Sequence, residues 1–343
     1  MSRVVGVVSA DRRRLAIPPH RGGPGGSPQS APEAHVATAR VGNARRMHSI
    51  DRATFVRPAG SLRDPVRLFP GSAVERSDWL ALTPLERRRL VVRARTDAVG
   101  IDGVVSHRSA AALWGLPDFD RDDGRLHLID VRRQKTHCGP GVVRHVGTLR
   151  RGDVVRLDGI TVTSLLRTVV DVIRSVSFVH AVIVLDHVLR LGRLTKPQLL
   201  DALAPLRGLR GSSRAIDAVR FADPLAESPG ESASRVQVRE LRLPTPVLQH
   251  EFDTPNGKYR VDFWWPEHGI IGEFDGRVKY DDAETLWHEK LREDALRRHP
   301  SVHGVARWTM SEAVDPAKLA TVLITAGLPV LRAAPRRPSA PRG

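Results

Sequence analysis

258-KYRVDFWWPEHGIIGEFD-275 decides how this chain is read. Two apolar-rich runs, 258–265 and 270–275, flank Pro266-Glu267-His268-Gly269, a connection of hairpin length. Pairing Trp265 with Ile270 puts Asp262 directly opposite Glu273. Period-2 alternation then places Arg260, Asp262 and Trp264 on the face that matches Ile271, Glu273 and Asp275. Like charges facing each other across a ladder destabilise it. Two compensations are open: a divalent cation with oxygen ligands between the carboxylates, or neutralisation by Arg260, Arg277 or Lys279 in an ion-pair network.

Working outward, 229-PGESASRVQVRELRL-243 predicts a helix before the hairpin. Ser228-Pro229-Gly230-Glu231 has the spacing of a capping box with proline at the first helical position, which gives Glu231 a structural role beside any catalytic one. A strand over 247–252 intervenes; a helix over 284–298, a strand over 305–310 and a helix over 316–326 follow. The 284–298 helix carries Lys290, Arg292, Arg297 and Arg298. The order helix, strand, strand, strand, helix, strand, helix predicts an α+β unit over 225–328.

The upstream half alternates differently. Helices are predicted over 84–99 and, capped by Ser106, over 106–117. Strands follow at 125–131, 142–146 and 153–163, the last bent at Asp158-Gly159, then helices at 164–175, 178–191 and 196–203. The glycine- and arginine-rich 207-RGLRGSSR-214 reads as a separator, giving an α/β domain over 106–215. Ser106-His107 reads as a helix cap rather than a nucleophile pair, and His137-Cys138 as a loop. Asp171 and Asp186, in apolar helices, call for an arginine partner such as Arg167 or Arg190.

Length and charge bound the rest. The chain has 343 residues, room for about two domains at roughly 150 residues each. No apolar run approaches the ~18 residues of a membrane span, and MSRVVGVVSADRRRL lacks the features of a signal peptide. A single cysteine, Cys138, excludes an internal disulfide and a cysteine zinc site, so a cytoplasmic protein is expected. Of the net charge of +16, residues 1–60 hold +7 and residues 332–343 hold +4. Most of the excess therefore sits on stretches rich in Pro, Gly and Ala, read as disordered basic tails over 1–50 and 329–343 that can hold duplex DNA without specificity.

The run Glu231 … Val261-Asp262-Phe263 … Gly272-Glu273-Phe274-Asp275-Gly276 … Lys290-Leu291-Arg292-Glu293-Asp294 … Arg307-Trp308 resembles the PD-(D/E)XK nuclease superfamily, and within it the Vsr-like endonucleases. That resemblance implies Mg²⁺-dependent (or Mn²⁺-dependent) DNA hydrolysis with Asp262 and Glu273 as metal ligands and Glu231 as the first-helix glutamate. The signature lysine two residues past the second acid is replaced by Asp275, an extra ligand or water-orienting base, leaving Lys279 or Lys290 to supply the cation. Residues 106–203, with SHRSAAALWGLP, 161-TVTSLLRTVVDV-172 and 185-LDHVLRLGRLT-195, resemble the AbiEi-type antitoxins of type IV toxin–antitoxin systems. This implies a DNA-binding regulator with a toxin partner, whose winged unit survives as a remnant over 51–105. The two resemblances give an endonuclease as the first expectation and a non-enzymatic antitoxin with a nuclease-fold scaffold as the alternative.

Overall fold

The first strands along the chain make a short hairpin, β1 (Pro65–Phe69) and β2 (Ser72–Glu75), paired antiparallel. Its turn needs Gly71, whose φ of +83° suits a residue without Cβ. The computed structural model describes residues 60, 62–99, 103–117, 124–276 and 283–330. The expected tail over 1–50, residues 331–343 of the other expected tail, Arg277 and the candidate Lys279 lie outside the described residues. A short helix, α1 (Arg76–Ala81), and the expected α2 (Pro84–Val99) complete this first piece. Leu90 and Ala94 of α2 close over Leu68 and Val74 of the hairpin. The start of α2 is held reciprocally: the Thr83 amide donates to Glu86 and the Glu86 amide to Thr83 Oγ1.

A six-stranded sheet comes next. It is built from β3 (Val104–Val105), β4 (Leu126–Ile129), β5 (His137–Gly139), β6 (Val142–His145), β7 (Val154–Leu157) and β8 (Ile160–Thr163), with α3 (His107–Leu113) between β3 and β4. The order is β5-β6-β4-β3-β8-β7, with β4 parallel to β6, β3 parallel to β8 and the other neighbours antiparallel. The predicted bend at Asp158-Gly159 is the turn of the β7–β8 hairpin. Leu126, Leu128, Val105 and Val162 meet Ala110 and Leu113 of α3 on one face.

Helices α4 (Leu165–Ser175), α5 (Phe178–Arg190) and α6 (Lys196–Leu203) start at Ser164, Ser177 and Thr195, each accepting from a backbone amide three residues on. Residues 207–214, read as a separator, instead lead into α7 (Ser212–Phe221), whose Ala215, Ala218 and Val219 are buried with α4, α5 and α6. Gly211 makes this turn at φ +80° with its α-carbon against the Arg174 carbonyl, where no Cβ fits. Composition alone cannot distinguish that close approach from a linker.

The second sheet follows in the predicted order: α8 (Pro229–Glu240), β9 (Val247–Thr254), β10 (Gly257–Trp265), β11 (Ile270–Phe274), α9 (Ala283–Arg297) and β12 (Gly304–Trp308), then α10 (Met310–Ala313) and α11 (Pro316–Thr325). Its strand order is β12-β11-β10-β9, with β11 and β12 parallel. The whole is a mixed α+β fold. Gly272 lies where a Cβ would stand 2.7 Å from Trp308, 2.8 Å from Trp265 and 3.0 Å from Phe263, so three aromatic side chains close over one glycine. Trp308 donates its indole N–H to Ser234 and Trp265 donates to the Pro244 carbonyl, which ties the sheet to α8 and its exit.

The sheets share a seam. Ile183 of α5 packs in the core of the second sheet, while Val236 of α8 packs in the core of α4–α7. Across this seam Arg235 Nη1 lies 2.8 Å from Asp186 Oδ2, with the two side chains 9% and 1% exposed. Asp186 was expected to pair within its own half; its partner comes from α8 because α5 turns that carboxylate toward the seam. Asp171 keeps the expected partner, Arg167, at 2.8 Å. No described helix is long and apolar enough to cross a membrane.

Candidate functional site

Three carboxylates meet beneath the N-terminus of α8. The helix starts at Ser228, whose Oγ accepts from the Glu231 amide. Gly230 rests directly on the Phe274 ring, where no Cβ fits, and this contact sets Glu231 onto the sheet. The expected capping box closes only by half: Glu231 Oε2 accepts from the Glu227 amide at 2.9 Å rather than from Ser228. At 6% exposure Glu231 is buried, and burial raises its pKa, helped by the nearby Asp262 charge.

Trp265 pairs with Ile270 as expected, and the register continues through Phe263↔Gly272 toward Asp262 and Glu273. Asp262 does more than face Glu273. Its Oδ2 accepts from the Phe274 amide at 2.9 Å. Burial also raises the pKa of Asp262. On the other side of β10 the register from Gly257↔Thr254 to Trp264↔Val247 puts Gln249 across from Asp262. Gln249 adopts φ +53°, an uncommon conformation for a residue with a side chain. Its Nε2 donates to Glu231 at 2.9 Å and lies 3.4 Å from Asp262 Oδ1. One strained amide thus bridges two carboxylates.

Arg292, from α9, answers the opening electrostatic question. Its Nη2 lies 2.6 Å from Glu273 Oε1 and 2.9 Å from the Arg260 carbonyl, while Nη1 reaches Glu289 at 3.1 Å. Arg307 of β12 also binds Glu289, at 2.9 Å, and Glu293, at 3.3 Å. Burial, outweighing the attraction of Arg292 and reinforced by Asp262, pushes Glu273 up to about 7. Burial works against the charge of Arg292, yet facing both Glu273 and Glu289 holds its pKa above the ordinary value. Glu273 is thus met by a guanidinium from α9, an ion pair with none of the residues first considered for one.

Of the residues singled out from sequence, Glu231, Asp262 and Glu273 converge. Asp275 is exposed just past β11, its amide donating to the Trp308 carbonyl, and Lys290 is exposed on α9. Gln249 and Arg292 were missed as members of the site. The β9–β10 register would have exposed the first, since it places Gln249 opposite Asp262; the contact of Arg292 depends on where α9 docks. As arranged, the donor set does not fit a divalent ion, because a guanidinium lies on Glu273 Oε1, N–H groups of Phe274 and Gln249 face the two Asp262 oxygens, and those of Glu227 and Gln249 converge on Glu231 Oε2. Among the described residues no group of three or more His, Cys, Asp or Glu is arranged to hold a metal.

The first sheet carries a different cluster. His127 Nδ1 lies 2.9 Å from His145 Nε2, and the His107 ring stacks on His145 with centroids 3.7 Å apart. Ser106, expected to cap α3, instead places Oγ 3.0 Å from His107 Nδ1 and makes no side-chain cap. His107 itself sits at φ +48°. Burial first, then the two neighbouring imidazoles and Arg167 and Arg174, hold its pKa well below the usual histidine value.

With both clusters described, the comparisons with known proteins discriminate between the halves. Residues 103–218 match the AbiEi antitoxin C-terminal domain. This stretch runs from β3 into α7, so it contains the six-stranded sheet and the histidine cluster. Two uncharacterized proteins, from two strains of Mycobacterium tuberculosis, are each 34% identical over 188 residues. The aligned stretch is 54% of this chain and spans 66% of each relative. No solved structure matches.

Proposed function

We propose that the chain is a DNA-binding regulator of the antitoxin type, with a toxin protein as partner. The observation that carries this reading is the match of residues 103–218 to the AbiEi antitoxin C-terminal domain. The net charge of +16 favours an acidic partner such as duplex DNA. Titration of the full chain against duplex DNA, including its own upstream region, at graded salt tests it. Tight binding of that region over unrelated duplex is expected; affinity that is equal on all sequences overturns the reading.

A second reading is favoured by one specific observation: Glu231, Asp262 and Glu273, all with raised pKa values, gather on one sheet face. Under it the second sheet is a Vsr-like endonuclease requiring Mg²⁺ or Mn²⁺, and Arg292 must leave Glu273 before such an ion could bind. Plasmid cleavage with Mg²⁺, Mn²⁺ or EDTA decides. Cutting that is lost in both Asp262→Ala and Glu273→Ala supports an enzyme, and no cutting under any divalent ion leaves the antitoxin reading alone.

A further inference from the structure

We infer that Arg292 is a built-in counter-ion that keeps the Glu231–Asp262–Glu273 group closed to divalent cations, so that removing its charge converts the group into a cation site. The balance of charge carries this. Glu231 on α8, Asp262 on β10 and Glu273 on β11 are drawn together, with Gln249 of β9 supplying only neutral donors. Arg260 is engaged outside the group by Glu227 at 2.8 Å. Arg307 is engaged by Glu289 and Glu293. Among the described residues Arg292 is thus the guanidinium set against this group of three carboxylates, and it stands on the Glu273 oxygen itself.

Position is as telling as charge. The Arg292 side chain is held from three sides, by Glu273, by Glu289 and by the Arg260 carbonyl. A planar guanidinium satisfies such a spread of oxygens, whereas a compact divalent ion needs six or more oxygen ligands crowded around one point. Two adaptations of the site thus oppose a metal: a rigid fork on one carboxylate, and the Gln249 amide across the other two. Once the guanidinium is gone, buried carboxylates with no cation must either take up protons or recruit a cation from solvent.

The experiment uses the full chain and reads Mn²⁺ uptake by electron paramagnetic resonance beside thermal melting, so it does not depend on DNA cleavage. Wild type should bind Mn²⁺ weakly and melt within about 1 °C of its EDTA value at millimolar Mn²⁺, since only binding to the folded state shifts the midpoint. Arg292→Gln should melt lower in EDTA, recover with Mn²⁺ and bind one ion at least about tenfold more tightly than wild type. Glu273→Gln added to that variant should abolish the gain. Arg292→Lys, which keeps the charge, should stay as blind to Mn²⁺ as wild type.

A folded Arg292→Gln that takes up no Mn²⁺ overturns the inference, as does a wild type that already binds Mn²⁺ as tightly. Where Arg292→Gln fails to fold in EDTA, its folding in Mn²⁺ supports the inference. Its failure in both buffers, or Mn²⁺ uptake by Arg292→Lys equal to the tight binding expected of the glutamine variant, counts against it. A chain that cuts no DNA yet gains Mn²⁺ binding on loss of Arg292 keeps the inference and discards only the endonuclease reading.

Discussion

The two sheets each gather three ionisable side chains, and they treat buried charge in opposite ways. On the first sheet His107, His127 and His145 lie ring against ring, and burial favours the neutral form of His107. Imidazoles can be packed together because each can shed its charge near neutral pH. On the second, burial raises the pKa of Glu231, Asp262 and Glu273, the last to about 7, and the fold sets an amide and a guanidinium against the charge that remains. The histidines partner one another and Ser106, whereas the carboxylates draw an amide from β9 and a guanidinium from α9. Each cluster takes a member from a helix packed on its sheet, His107 from the start of α3 and Glu231 and Arg292 from α8 and α9, but only the carboxylates receive an opposite charge from theirs.

The seam joins these two solutions, and breaking it has the largest expected effect. Arg235→Ala leaves Asp186, 1% exposed, without its cation. A loss of about 3–5 kcal/mol is expected by chemical denaturation, the cost of an uncompensated buried charge. A loss below about 1 kcal/mol would show that the sheets are not coupled through this pair.

Next in size is a change beneath the carboxylate hairpin. Gly272→Ala forces a methyl among Trp308, Trp265 and Phe263 and should cost about 1–3 kcal/mol in unfolding free energy. A neutral result would mean that the aromatic floor can shift, and that β11 is held by its ladders alone.

pH separates the clusters by sign. His107 has its folded pKa below the unfolded value near 6.5, so its contribution is fully present above 6.5 and is lost as pH falls toward the folded pKa. Glu273 has its folded pKa raised from 4.5 to about 7, so its contribution is present below 4.5 and is lost as pH rises through about 7. Between pH 5 and 7 the two slopes therefore oppose each other: His107→Gln should remove a rise in melting temperature with pH, and Glu273→Gln should remove a fall. Identical profiles in all three proteins would erase the contrast between the sheets.

The smallest effect is expected at Glu231→Gln. Glutamine keeps an oxygen to accept from the Glu227 amide and from Gln249, so stability should move by less than about 0.5 kcal/mol. A change of more than about 1 kcal/mol would make the charge of Glu231, rather than its hydrogen bonds, the structural element.

Local rules carried far in this chain. The four residues between Trp265 and Ile270 and the alternation on either side were enough to place Asp262 toward Glu273, because strand parity leaves few registers that bury Trp265 and Ile271. Of the two caps read from spacing, Ser228 caps α8 because a cap is a contact across only three residues, while Ser106 turned to His107 instead. The fold class and the order of elements in the second half were legible for the same reason.

What tertiary structure alone decided is the company these residues keep. His107, His127 and His145 meet because β4 lies between β3 and β6, a strand order set by crossovers and invisible in spacing. Asp186 finds Arg235, 49 residues away, because α5 and α8 cross. Arg292 lands on Glu273 because buried Ala295 and Leu296 fix how α9 lies against the second sheet, and a surface helix can be slid or rotated by one residue without altering its pattern. The sequence by itself determined which carboxylates share a face, since alternation along a strand is a local property. Whether a metal, a lysine or an arginine stands between them depended on packing between elements far apart in the chain, and that choice belongs to the folded protein.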